Sequence, residues 1–258
     1  MTAPAEGVLA GRSVLITGAG QGVGRGLALA AAAAGAGVVV TARRRAAAEA
    51  VVDEIAARGG EAVAAVCDVT DADQVAAAVA VAVDRFGGLD AAVHNATSPQ
   101  SSRSASLEDI DDAMWDELVA VALRGAFHLA TASAAALRER RGTLVMLTST
   151  AAIEGSAPLP AYAAVKAAQR TMVKSLAREW GPAGVRVNAI APVAVTRAMA
   201  DFFEREPEAA ERLAERAALR RLGEPEADIG RVLTFLIGPD SAFVTGQTLV
   251  VNGGAMML

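Results

Sequence analysis

The sequence predicts an α/β fold, in which a doubly wound parallel sheet of about seven strands carries helices on both faces within a single domain over residues 1–258. Short runs of apolar, β-branched residues alternate with longer Ala-rich stretches of helical character. Repeated strand–helix alternation is typical of parallel sheets with right-handed crossovers. The apolar runs show no regular polar alternation, as expected for strands that are buried on both faces of a sheet.

The strand and helix candidates follow one another in regular order along the chain. Strands are predicted over residues 13–18, 37–42, 62–67, 89–95, 142–149, 185–192 and 247–254. Helices are predicted over residues 23–35, 45–58, 71–86, 107–139, 161–180 and 225–238. The charged segment 193–224 interrupts this order directly after a strand. Ligands of such sheets bind beyond the carboxyl ends of the strands, so this segment is predicted to be a substrate lid.

Composition and charge restrict the class of protein. Hydrophobic residues make up 53% and charged residues 21% of the chain, which is typical of a packed globular protein. The net charge of −5 gives no broad cationic surface, so neither nucleic acid nor a membrane is an expected partner. The single cysteine, Cys67, excludes an internal disulfide, and the N-terminal residues lack a signal-peptide pattern. A cytoplasmic location is therefore expected.

A glycine-rich loop follows the first predicted strand and opens the first helix. Glycines at this point let the backbone turn tightly and approach a pyrophosphate, while the helix N-terminus offers free N–H groups and the positive end of its dipole. This context predicts a Rossmann-type dinucleotide site. The cofactor-binding candidates of the loop are Gly18, Gln21, Gly22, Val23 and Gly24.

The end of the second predicted strand bears on the choice of cofactor. An acidic residue there would bind the adenosine ribose, whereas an arginine accommodates a 2′-phosphate. The sequence reads VVVTARRR, with no acid and with Arg43 as the first basic residue after the strand. A guanidinium grips a phosphate in a fork, so NADP is favoured over NAD. Gln21 weighs against this preference, because a basic residue in the loop itself would strengthen the case for NADP.

Seven motifs occur in the same order as in a known family. They are TGAGQGVG (17–24), CDVT (67–70), HNA (94–96), a serine 13 residues before the tyrosine, YAAVK (162–166), VRVNAIAP (185–192) and TGQTLVVNGG (245–254). Together they cover nearly the whole chain, which resembles a compact, single-domain short-chain dehydrogenase/reductase. The resemblance implies an NAD(P)-dependent oxidoreductase that interconverts a secondary alcohol and a ketone. It also implies a homo-oligomer, a tetramer or a dimer.

Three residues are implied to be catalytic. Tyr162 is the only tyrosine of the chain, and Lys166 lies four residues later, on the same face of a helix. A free phenol titrates near 10, and an adjacent ammonium group is expected to lower that pKa towards neutrality. By resemblance, Tyr162 exchanges a proton with the substrate oxygen, Lys166 tunes it and binds the nicotinamide ribose, and Ser149 positions the substrate.

The resemblance implies further cofactor contacts and some departures from the family pattern. The additional contacts are Asp68, Val69, Asn95 and the backbone near Val195. Ala122 stands where the family has an asparagine that helps to hold a water in a relay to the lysine. Thr97, Val193 and Asn252 also differ from the usual residues at their positions.

Two functional hypotheses stay open at this point. The first is an oxidoreductase with a small alcohol or ketone substrate, for which Met199, Phe202 and Phe203 of the predicted lid suggest a hydrophobic character. The second is a catalytically weak NAD(P)-binding sensor or scaffold protein on the same fold. No HExxH motif or cysteine cluster accompanies the two histidines, so no metal is expected.

Overall fold

A single sheet of parallel strands forms the centre of the molecule. The structure, a computed structural model, describes residues 7–194 and 206–257. The strands are β1 (Ser13–Ile16), β2 (Gly37–Ala42), β3 (Glu61–Val66), β4 (Ala91–His94), β5 (Thr143–Leu147), β6 (Arg186–Pro192) and β7 (Thr248–Val251). Within the described residues the strand order is β3-β2-β1-β4-β5-β6-β7. The order reverses between β1 and β4, and this switch point opens a crevice for a ligand at the carboxyl ends of the strands.

Helices cover both faces of this sheet. They are α1 (Gly22–Ala33), α2 (Arg45–Ala57), α3 (Ala72–Phe86), α4 (Asp112–Leu118), α5 (Gly125–Arg140), α6 (Ala151–Glu154), α7 (Pro160–Trp180), α8 (Pro207–Arg216) and α9 (Arg231–Ile237). One buried apolar cluster joins the sheet to α1, α2 and α9. A second cluster joins its other face to α3, α5 and α7. The predicted fold class, a doubly wound Rossmann-type sheet in a single domain, is thus confirmed.

The observed elements differ from the expected ones at two kinds of place. The strands β3 and β7 lie at the edges of the described sheet and are only partly buried, although their sequences are as apolar as those of the central strands. The helix predicted over 107–139 is interrupted: a short 3₁₀ turn precedes α4, and a π-helical turn over Val119–Arg124 joins α4 to α5. Such π turns are rare and are often found at functional sites.

The helical stretch from α4 to α5 is both long and apolar. By length and composition alone, Asp112–Arg140 is sufficient to cross a membrane, and 39% of its most apolar window is buried inside the protein. Leu129 and Leu137 on α5 are completely buried and belong to the cluster shared with α3 and α7. The apolar composition of this stretch is thus accounted for in part by its packing in the helix layer.

The segment predicted as a lid is described only in part. Ala194 forms an isolated bridge with Gly223, which ties the end of β6 to the residues that follow α8. Residues 195–205 lie outside the described residues, and so do Val195, Met199, Phe202 and Phe203.

Candidate active site

The glycine loop lies between β1 and α1 at the switch point of the sheet. Gly18 and Gly22 have φ angles of +63° and +57°, a left-handed conformation that L side chains rarely adopt. At Gly24, a Cβ atom would overlap the carbonyl oxygen of Gly18. The N-cap residue of α1, Gln21, is exposed and makes no side-chain capping bond. The first N–H groups of α1, with half-buried Val23 beside them, are therefore suited to a pyrophosphate.

The end of β4 holds this loop in place. The Asn95 side-chain amide donates to the carbonyl oxygens of Thr17 and Gly18, in both cases over 3.0 Å. The Thr17 hydroxyl oxygen in turn accepts the backbone N–H groups of Asn95 at 3.0 Å and Ala96 at 3.1 Å. Asn95 therefore supports the glycine loop from its neighbouring strand.

The outer part of the crevice carries the residues expected around the adenosine end of a cofactor. Arg43 is exposed directly after β2 and forms no ion pair with any carboxylate of the described residues. After β3, Val69 is buried, while one carboxylate oxygen of Asp68 accepts the N–H and the hydroxyl of Thr70 at 3.0 and 2.8 Å. The structure thus places Arg43, Asp68 and Val69 after two adjacent strands of the sheet.

Ser149, Tyr162 and Lys166 converge beyond the carboxyl end of β5. Ser149 follows β5, and its hydroxyl oxygen accepts the N–H of Ala151 at 3.2 Å. Tyr162 and Lys166 lie one turn apart on α7, with the Lys166 Nζ 5.8 Å from the centroid of the Tyr162 ring. The buried Lys166 ammonium donates to the carbonyl oxygen of Leu147 over 2.6 Å.

Burial controls the protonation of this group. It lowers the pKa of Lys166 to about 7. It raises the pKa of the Tyr162 phenol above its usual value, while the nearby Ser149 hydroxyl acts in the opposite direction. The expected lowering of the phenol pKa by the lysine is therefore absent among these residues. Desolvation is the main cause of the raised phenol pKa, and it also lowers the pKa of Lys166.

Two polar residues close to Lys166 were not among the residues predicted for the site. Gln169 is completely buried on α7, three residues after Lys166, and its Nε2 donates to the Ala122 carbonyl oxygen over 2.6 Å. His94 is completely buried at the end of β4. The sequence signal was modest in both cases: a glutamine that shares a helix face with a lysine, and a histidine at the end of an apolar strand.

A cavity of about 180 Å³ lies beyond the ends of β5 and β6. Thr150 and Val193 border it from the sheet, Leu213 from α8, and Asn252 and Met256 from the C-terminal residues. Asn252 is buried, and its side chain donates to the Met256 carbonyl and accepts the N–H of Gly254. Val193 and Asn252, which depart from the family pattern, thus help to shape this cavity, whereas Thr97 is exposed.

Comparison with known proteins identifies the family. A short-chain dehydrogenase/reductase family model described as enoyl-(acyl carrier protein) reductase matches residues 18–256. The chain is 36% identical over 211 residues to 3-oxoacyl-[acyl-carrier-protein] reductase FabG of Staphylococcus aureus, covering 81% of this chain and 83% of that one. It is also 36% identical over 256 residues to the A-factor type gamma-butyrolactone 1′-reductase (1S-forming) of Streptomyces virginiae, with 98% of each chain covered.

Solved structures give the same result. A 7α-hydroxysteroid dehydrogenase in complex with NADH and 7-oxo glycochenodeoxycholic acid superposes with a TM-score of 0.88 at 33% identity, with 98% of each chain covered. The glycine loop at the switch point and the open N-terminus of α1 fit the cofactor class that these relatives imply. The chain therefore belongs to the short-chain dehydrogenase/reductase family, as an NAD(P)-dependent oxidoreductase of the class that acts on CH–OH groups.

Proposed function

We propose that the protein interconverts a secondary alcohol and a ketone on a small, hydrophobic substrate, with NADP favoured over NAD. The observation that carries this proposal is the convergence of Ser149, Tyr162 and Lys166 at the end of β5. The Tyr162 phenol and the Ser149 hydroxyl lie close together there, and the buried Lys166 ammonium is held by the Leu147 carbonyl oxygen. The sensor or scaffold alternative gains no support from this arrangement, because a protein that only binds nucleotide does not need an ordered proton donor.

The three side chains have distinct tasks in this proposal. Ser149 donates a hydrogen bond to the substrate oxygen and orients it. In the direction of reduction, the Tyr162 phenol gives its proton to that oxygen, and Lys166 returns a proton to the phenolate. A bound nicotinamide cofactor would supply or accept the hydride. Because the pKa of Lys166 is about 7, the lysine is able to donate or accept a proton near neutral pH.

The remaining predicted residues hold the cofactor in this proposal. Gly18, Gly22 and Gly24 form the pyrophosphate turn with Gln21 and Val23, and Asn95 supports it. Asp68 and Val69 would border the adenine, and Tyr162 and Lys166 would also bind the ribose. The backbone near Val195, which lies outside the described residues, is proposed to bind the carboxamide. Arg43 is proposed to favour NADP, because it is exposed directly after β2, where an arginine accommodates a 2′-phosphate. The NADH in the steroid dehydrogenase structure belongs to that protein, and the preference proposed here depends on Arg43.

A hydrophobic substrate is supported by the surroundings of Tyr162. Ile110, Met114 and Leu159 line the crevice beside the tyrosine together with Arg103. Leu213 and Met256 line the cavity beyond Ser149, whose border also carries the charged residues Glu154, Arg216 and Arg221. The names of the compared proteins include a 3-oxoacyl and a 7-oxo compound, which supports a ketone as the oxidised substrate. Segment 193–224 is proposed as the lid of this cavity.

Assembly and location complete the proposal. Phe243 is fully exposed, and Phe127 on α5 is exposed to 57%. A homo-oligomer, a tetramer or a dimer, is proposed from the family to which the chain belongs, and such an assembly would cover apolar side chains of this kind. A cytoplasmic location is proposed from the single, buried Cys67.

A screen of ketones and alcohols with each cofactor tests the proposal, with nicotinamide absorbance as the readout. Tyr162→Phe is expected to lower turnover by about 10²–10⁴, the usual contribution of general acid–base catalysis, while cofactor affinity is retained. Ser175→Ala is the matched control, because this exposed hydroxyl on α7 bonds only to its own helix. Near-wild-type turnover in Tyr162→Phe would overturn the assignment. A wild type that binds cofactor but turns over no ketone or alcohol would favour the binding protein.

A further inference from the structure

The π-helical turn brings the backbone of Ala122 against two buried polar side chains. Gln169 approaches from α7 and donates to the Ala122 carbonyl oxygen over 2.6 Å. His94 approaches from β4, and its imidazole lies against the carbonyl groups of Val121 and Ala122. A Cβ atom at Gly125, one turn later, would stand 3.2 Å from the His94 ring. Gly125 thus permits this close approach of helix and histidine.

The tautomer of His94 follows from its hydrogen-bond partners. Its Nδ1 lies 3.4 Å from the Thr17 hydroxyl oxygen. That oxygen already accepts the N–H groups of Asn95 and Ala96, which occupy both of its lone pairs. The single proton of the Thr17 hydroxyl has two acceptors within reach, the Val93 carbonyl oxygen at 3.3 Å and the His94 Nδ1 at 3.4 Å. Nδ1 therefore cannot donate to Thr17, so the proton of the imidazole lies on Nε2. The Nε2–H group points towards the π-helical turn.

One donor and one acceptor are unsatisfied in this small region. Within the described residues, the buried Gln169 Oε1 has no hydrogen-bond partner, and the buried His94 Nε2 faces the Val121 and Ala122 carbonyl groups without a well-formed hydrogen bond to either. Lys166 shares the helix face of Gln169, and its ammonium has three N–H groups, one of which is used by the Leu147 carbonyl. A water molecule between these groups would satisfy the two orphan atoms and contact the lysine, as buried waters usually have about three polar partners.

We propose that Gln169 and His94 are the positioning residues of this enzyme's proton path. They hold a water molecule next to Lys166, a task for which the family uses the asparagine that is replaced here by Ala122. The inference rests on the proposed function. In the direction of reduction, the Tyr162 phenol gives its proton to the substrate oxygen and regains one from Lys166. The lysine then takes a proton from the held water, which solvent replenishes. His94 stays neutral throughout, since burial lowers its pKa to about 3.

The path explains three features of this chain together. Ala122 offers no side-chain hydrogen bond, and its carbonyl oxygen is instead used by Gln169. Gln169 is polar at a position where a packed helix face favours an apolar residue, and burying its unpaired oxygen has a cost in stability. His94 likewise keeps in the interior an N–H group that makes no well-formed hydrogen bond to the carbonyl groups it faces. A site that only needed packing would retain neither group.

Gln169→Leu tests the inference with activity and stability measured side by side. Turnover is expected to fall about tenfold or more, while KM and cofactor affinity change less than about twofold. The unfolding free energy is expected to stay close to that of the wild type. The variant removes the unpaired Gln169 Oε1 but also leaves the Ala122 carbonyl oxygen without its donor, so the two effects offset each other. Ser133→Ala is the matched control, since this buried hydroxyl bonds only within α5 and its loss affects packing alone.

A rescue variant separates a proton path from a structural role. Adding Ala122→Asn to Gln169→Leu restores an amide near the lysine and is expected to recover most of the lost turnover. Ala122→Asn alone should bring no gain, because Ala122 is buried and its carbonyl is already bound. Gln169→Leu with wild-type turnover would overturn the inference, and so would a double variant as slow as the single one.

The nitrogen resonances of His94 give a readout that does not depend on activity. They are expected to show the Nε2–H tautomer in the wild type and to shift in Gln169→Leu but not in Ser133→Ala. A proton on Nδ1, or a His94 signal that Gln169→Leu leaves unchanged, would contradict the proposed path. The two proposals can be contradicted separately. If Tyr162→Phe stays active, the proposed function is contradicted. If Gln169→Leu stays active while Tyr162→Phe is inactive, only the proposed proton path is contradicted.

Discussion

The Lys166 Nζ donates a hydrogen bond of 2.6 Å to the Leu147 carbonyl oxygen, the last one of β5. The central sheet thereby holds the lysine, which is 2% exposed, at a fixed distance from the tyrosine one helical turn away. Removing an ammonium group from water without a counter-charge favours its neutral form. The burial that accompanies this contact lowers the pKa of Lys166 to about 7, where proton transfer is easy in both directions.

The buried lysine should be visible in the stability of the protein. The folded state binds fewer protons than the unfolded one between a pKa of about 7 and the ordinary value of 10.5, so stability rises with pH across this window. The Lys166→Met variant has no titrating group at this position. As the pH rises through this window, the unfolding free energy of the wild type should therefore increase relative to that of the variant by up to about 1.4 kcal/mol per pH unit. Urea unfolding of both proteins at several pH values measures the difference. A difference independent of pH would show that the lysine is charged in the folded protein.

Arg43 is expected to distinguish the two cofactors. Arg43→Ala should weaken NADP binding by roughly tenfold to a hundredfold, the value of a charge-assisted hydrogen bond, and change NAD binding little. Arg44→Ala is the matched control, because Arg44 is an exposed neighbour at the N-cap of α2. Titration calorimetry with each cofactor measures the effect. Equal losses for both cofactors, or a wild type that prefers NAD, would refute the role of Arg43.

The sequence was sufficient to predict the strands, because their apolar, β-branched runs are a local signal. The second strand was predicted with the observed bounds, Gly37–Ala42. The weaker burial of β3 and β7 was not predictable in this way, since it depends on their place at the edges of the described sheet. The π-helical turn over Val119–Arg124 was missed because it involves a tertiary contact, the bond from Gln169 to the Ala122 carbonyl.

The candidate site shows the same division between local and tertiary information. Tyr162 and Lys166 could be paired from sequence because a spacing of four residues places them on one helix face. Gln169 lies on that face too, but a glutamine near a lysine on a helix is equally typical of a solvated surface. Only the packing of α7 against the π-helical turn shows that Gln169 is buried. The raised pKa of Tyr162 likewise depends on burial, which the spacing alone does not reveal.

His94 is expected to make the protein sensitive to acid. Burial, together with the Lys166 charge, lowers its pKa from 6.5 to about 3. Between these values the unfolded histidine binds a proton that the folded one excludes, so stability falls as the pH falls through this window. The wild type should lose up to about 1.4 kcal/mol per pH unit relative to His94→Asn, which does not titrate there. Parallel pH profiles of the unfolding free energy for the two proteins would show that His94 is not a buried neutral group.

Gly24 is closely packed against Gly18 of the glycine loop and against Asn95. A Cβ at position 24 would overlap the Gly18 carbonyl oxygen and the side-chain nitrogen of Asn95, and neither can withdraw without moving the loop. Forced overlap of this kind typically costs about 1–3 kcal/mol, so Gly24→Ala should raise the dissociation constant of the cofactor about tenfold or more. Gly181→Ala is the matched control, because a Cβ there meets no atom within 4 Å and the residue has a helical φ of −50°. Calorimetric titration of both variants, with circular dichroism to establish that each is folded, measures the contrast. A Gly24→Ala variant that binds as tightly as Gly181→Ala would mean that the loop adjusts freely, and that Asn95 does not fix its position.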